Sequence, residues 1–102
     1  AAKRTKAKGG CALGSLVGQL AESDPKARAL IASGFDQWAA AIGDGLRSPH
    51  TEGKLPPDVD PDDLAITLLA TLEGGLLLAQ VQRSTRPFET AVNTLLALAI
   101  GR

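Results

Sequence analysis

A chain of 102 residues with 44% apolar side chains has the length of one domain and too much apolar content for a disordered segment. Its 11 basic and 11 acidic residues cancel. Four of the bases (Lys3, Arg4, Lys6 and Lys8) crowd the first eight positions, so the body carries an acidic excess, which argues against nucleic-acid binding by the body itself. The single cysteine excludes an intrachain disulfide, and nothing in the sequence reads as a signal peptide. The expected compartment is the cytoplasm. There is no methionine, and a start at AAKRTKAKGG reads as that of an internal fragment. Aromatic residues are limited to Phe35, Trp38 and Phe88, so the core must be built from Leu, Ala, Ile and Val. Leu and Ala favour helix, the apolar residues recur at helical spacing, and strand-like alternation is missing. The expected class is all-α.

Residues 1–10 have no apolar periodicity and end in Gly9-Gly10, as a solvated loop or linker does. Four charges without a structured reader carry little sequence information, so a DNA-contacting arm is the weaker reading. From Cys11 to Glu22, Leu13, Leu16, Val17 and Leu20 share a face at i, i+3, i+4, i+7. The segment reads as a short helix weakened by Gly14 and Gly18. Cys11 reads as a small buried apolar residue. Asp24-Pro25 is a helix start, an acceptor at the N-cap followed by a proline where no amide donor is needed. The helix is expected to run to about Arg47, with Ala27, Leu30, Ile31, Gly34, Phe35, Trp38, Ala41, Ile42 and Gly45 on one apolar face. Phe35 and Trp38 fall within about 60° of each other on it. They serve either core packing or the wall of an apolar pocket, with the indole N–H as a donor.

Ser48 to Asp60, with three prolines and a glycine, reads as the main loop, pinned by Leu55 and Val59. His50 falls in it as an exposed side chain. No second ligand stands at zinc-like spacing, so no metal is expected. Asp60-Pro61-Asp62-Asp63 then combines a cap, a first-turn proline and two acids that complement the helix dipole. It opens a central helix running to about Arg83.

Leu64 to Val81 of that helix contains one charge, Glu73, and the pair Gly74-Gly75. At 100° per residue, Leu64, Leu68, Leu72, Gly75, Leu76 and Ala79 cover one side. Ile66, Ala70, Gly74, Leu77 and Val81 cover another. A surface helix has one apolar stripe; two stripes call for two partners, the chain's own core and a second subunit. A membrane span is disfavoured, because an acid at its centre costs roughly 2.5–3.5 kcal/mol. Glu73 itself is open to three readings: a solvent gap beside Gln80, a polar group lining a ligand pocket, or a hydrogen bond across a subunit interface. The two glycines remove side chains where helices cross closely. Ser84 to Pro87 breaks the central helix. The last helix starts near Thr85 or Arg86 and runs from Phe88 to about Ile100, with Phe88, Ala91, Val92, Leu95, Leu96 and Ala99 on one face, antiparallel to its predecessor across a short connection.

No catalytic set is visible. Ser15 lacks the nucleophile-elbow glycines, the carboxylates cluster at helix starts, and there is no phosphate loop, dinucleotide fingerprint or CxxC. Neither an enzyme nor a cofactor is expected.

The order of Gly10-Cys11, Leu13-Gly14, Leu16, Asp24-Pro25, Phe35, Trp38, Leu55-Pro56, Asp60-Pro61, Leu64-Ala65, Leu72 to Ala79 and Phe88 resembles the C-terminal regulatory domain of TetR/AcrR-family transcriptional repressors over residues 10–101. The resemblance implies an antiparallel helical bundle of three long helices plus a short N-terminal helix, dimerising through a four-helix bundle of the last two helices and their mates. Residues 1–10 would be a basic loop or linker and 11–102 the regulatory domain, without the N-terminal helix-turn-helix. The implied interface candidates are Ile66, Ala70, Gly74, Leu77, Val81, Val92, Leu95, Leu96 and Ala99. The implied partners are a second copy, a small-molecule effector held among the middle helices, and operator DNA only through the missing domain. Pocket candidates are Leu16, Leu20, Phe35, Trp38, Ile42 and Glu73. The alternative is a stand-alone homodimeric helical module without a ligand.

Overall fold

The computed structural model describes residues 17–100. The basic segment 1–10 and the expectations for Cys11, Leu13, Gly14, Ser15 and Leu16 lie outside the described residues. The chain is all-α: the described residues contain four helices and no strand. Residues 17–23 form α1, followed by α2 (Pro25–Thr51), α3 (Pro61–Gln82) and α4 (Arg86–Ala99).

The starts of α2, α3 and α4 have local causes. The Asp24 side chain accepts from the amides of Lys26 (3.0 Å) and Ala27 (3.3 Å), ahead of Pro25. Asp60 accepts from the Asp62 amide at 2.8 Å, with Asp62 and Asp63 in the first turn of α3. Ser84 Oγ accepts from the Arg86 amide at 3.1 Å at the head of α4. These carboxylate and hydroxyl oxygens satisfy donors that the helix leaves free.

The end of α2 corrects the sequence reading. The helix does not stop at Arg47 but continues one turn through Pro49 to Thr51. Proline forfeits one helical hydrogen bond, and the residue four back is Gly45, with no side chain to crowd the ring. The added turn is held by Ser48 Oγ donating to Glu52 Oε2 at 3.1 Å. It closes on Gly53 at φ +80, with the Gly53 amide donating to His50 O at 3.1 Å and the Lys54 amide to Pro49 O at 2.9 Å. That pair of bonds is the Schellman closure that a left-handed glycine permits. His50 is therefore a helical residue, with Nε2 3.2 Å from Pro57 O. Half-buried Leu55 and Val59 lie in the connection that follows.

Packing is organised around α3. It contacts α2 and α4. Asp62, near its start, meets Arg47 near the end of α2, and Gly75 meets Phe88 near the start of α4. Both pairings run antiparallel. Among the described residues, the four buried hydrophobic ones (Leu64, Ala65, Leu69 and Ala79) all belong to α3. Leu64 and Ala79, with buried Gly75, lie on the side the sequence assigned to the core; Ala65 and Leu69 widen that side. Of the expected inner face of α4, Phe88, Ala91, Val92, Leu95 and Ala99 are half-buried, but Leu96 is exposed, as are Leu98 and Ile100. Stable domains close a core between at least two layers, yet Ile66, Leu77 and Val81 on the outer side of α3 are exposed. By length and composition α3 could span a membrane, but its contacts with α2 and α4 make it the core helix of this domain.

Candidate functional site

The site grows from the first half of α2. Stepping along that helix places Arg28, Ile31, Ala32, Gly34, Phe35 and Trp38 on one broad face. These six residues line a cavity of about 710 Å³ with Val17, Gly18 and Ala21 of α1 and Glu73 of α3. The volume lies within the roughly 300–1,000 Å³ typical of small-molecule sites. The small residues create the space. A side chain added at Gly18 or Gly34 would meet no other group within 4 Å. Phe35 and Trp38 line it and remain 36% and 47% exposed. Glu73 is half-buried and Arg28 exposed, and neither forms an ion pair with a described residue.

The far half of α2 is anchored instead of open. The Arg47 guanidinium donates from Nη2 to Asp44 Oδ1 and Asp62 Oδ1, both at 2.9 Å, and from Nη1 to Asp62 Oδ2 at 3.4 Å. The hydrogen bond to Asp62, then that to Asp44, raises the Arg47 pKa above its ordinary value. The helices approach closely here because Gly43 has no Cβ; one would run into the Asp62 carboxylate. Among the described residues no cluster of His, Cys, Asp and Glu could hold a metal ion.

A family model described as tetracyclin repressor-like, C-terminal domain, matches residues 1–95. The chain belongs to that family. No curated protein and no solved structure matches the chain.

Within this TetR-like regulatory domain, the cavity gathers three of the pocket candidates: Phe35, Trp38 and Glu73. Leu20 and Ile42 are not among its lining residues, and Leu16 lies outside the described residues. Sequence reasoning missed Val17, Gly18, Ala21, Arg28, Ile31, Ala32 and Gly34 as lining residues. Ile31 and Gly34 were already on the apolar face of α2, and Arg28 is two turns before Phe35, a helical spacing that could have found it. Glu73 lines the cavity, while Gln80, one heptad on, buries its Oε1 with no hydrogen-bond partner among the described residues.

The interface candidates divide between two environments. Ile66, Leu77 and Val81 are 59%, 50% and 72% exposed, and Ala70, Gly74 and Leu96 are exposed with them. Val92, Leu95 and Ala99 are half-buried. The adjacent glycines also part company. A Cβ on Gly75 would come within 3.1 Å of Phe88 Cα, so Gly75 serves the packing of α4 within the chain. Gly74 faces open space.

Proposed function

We propose that this domain senses a small molecule and dimerises, and thereby controls DNA binding by an N-terminal helix-turn-helix of a TetR-like repressor acting in the cytoplasm. On this reading residues 11–102 form the regulatory unit and residues 1–10 the linker. The observation that carries it is the double duty of α3. Glu73 contributes to the wall of the cavity, and its neighbour Gly74 begins the outward apolar side with Ile66, Ala70, Leu77 and Val81. A lone subunit gains nothing from wetting three large aliphatic side chains on one helix. A second copy would cover them by the same surface in a two-fold arrangement, with exposed Leu96 of α4 alongside.

An effector seated between α1, α2 and α3 would favour one setting of α3 over another, and the partner would feel it through the shared face. Differential affinity for the two settings is the whole of the coupling. In the intact regulator the setting would decide the separation of two DNA-reading helices, and with it their fit to two half-sites. The chain would act as a regulator rather than a catalyst.

Sedimentation velocity over a range of concentrations tests the reading. A dimer at low micromolar concentration is expected. A monomer that persists at high micromolar concentration would remove the dimerisation half of the proposal.

A further inference from the structure

The cavity is chemically lopsided. Of the ten described residues that line it, only Arg28 and Glu73 are charged, and they form no ion pair with each other. From the Arg47–Asp62 contact, eleven residues along each antiparallel helix bring Glu73 level with Asp36, between Phe35 and Trp38. Arg28 lies eight residues beyond, about 12 Å of helix. Their surroundings differ as well. Arg28 is exposed, whereas Glu73 is half-buried against apolar walls. Water screens the first charge far more than the second. At the aromatic end of the cavity the local field is therefore that of a carboxylate. A ligand cation that meets the face of either lining ring, Phe35 or Trp38, would be attracted as well.

We infer that the cavity selects a hydrophobic organic cation, its charge held by Glu73 beside Trp38 and Phe35 and its apolar body lying along α1 and α2. This rests on the proposal that the cavity is the effector site, and it adds the sign of the effector's charge. A volume of about 710 Å³ accommodates a ligand of several rings.

Two probes of nearly equal size and shape and opposite charge decide the matter: tetraphenylphosphonium and tetraphenylborate. Trp38 is the only tryptophan, so its fluorescence reports the cavity directly. On the unaltered chain the phosphonium should bind at least about tenfold more tightly than the borate, a difference within reach of one desolvated charge contact. Glu73→Gln should remove most of that preference through weaker phosphonium binding. Equal binding of the two ions, or tighter binding of the borate, overturns the inference and leaves the cavity as a ligand site. If neither ion changes Trp38 fluorescence at high micromolar concentration, the effector-site reading falls and takes the inference with it. The comparison on the unaltered chain stands even if Glu73→Gln fails to fold.

Discussion

At the scale of single residues, the glycines have opposite roles although they look alike in the sequence. Gly75 is needed for closeness, because any side chain there presses into the Phe88 backbone. Gly45 is exposed within α2, and a Cβ added to it would meet nothing within 4 Å. Alanine is a better helix former than glycine by roughly 1 kcal/mol. Gly45→Ala should therefore raise unfolding stability by about 0.5–1 kcal/mol. Gly75→Ala gains the same propensity but must push α4 away, and a net loss of about 1–2 kcal/mol is expected from overpacking. Urea denaturation of the two variants at matched protein concentration measures both signs. Stabilisation by Gly75→Ala would mean that α3 and α4 do not pack at this point.

At the scale of elements, Arg83 ends α3 in the left-handed region at φ 54. The amide of Ser84 reaches back to Ala79 O at 3.1 Å, so the closure requires that backbone shape. A side chain at positive φ is strained, and glycine is the usual residue at such an end. Arg83→Gly is expected to raise the thermal midpoint, by about 0.5–1 kcal/mol of stability. An unchanged or lower midpoint would show that the Arg83 side chain contributes more than its backbone costs. The helix starts were legible from the sequence because Asp-Pro places an acceptor and a donor-free residue side by side, and one dipeptide is enough. The end of α2 was not. Proline at 49 carries a strong local stop signal, while the bonds that override it depend on Gly53, Ser48 and Glu52 acting together. The cavity was legible in the same uneven way. Phe35, Trp38 and Glu73 announce themselves by size or charge, whereas Gly18, Ala21, Ala32 and Gly34 matter for the volume they leave empty. Stepping along one helix cannot say which small residue faces another helix across a gap.

At the scale of the whole molecule, the outer side of α3 is the feature that a single copy leaves unexplained. Its two-sided apolar pattern was readable at 100° per residue, and the exposed set in the folded chain includes Ile66, Ala70, Gly74, Leu77 and Val81. Leu77 sits near the middle of that set, one turn from Gly74 and from Val81, and is half exposed. In an isologous dimer each substitution acts twice. Leu77→Glu would forfeit apolar burial on both subunits and place two like charges in the contact. A rise of at least about 100-fold in the dimer dissociation constant is expected, since each half-buried leucine contributes on the order of 1–1.5 kcal/mol before any charge penalty. Leu30, 76% exposed on α2 and absent from the cavity lining, is the control. Leu30→Glu adds the same charge and should leave the dimer intact. Sedimentation equilibrium of both variants, with circular dichroism to show that each remains helical, separates loss of the contact from loss of the fold. If Leu77→Glu sediments like the unaltered dimer, the copies meet through another surface, and the exposed side of α3 must be covered by something other than its own twin.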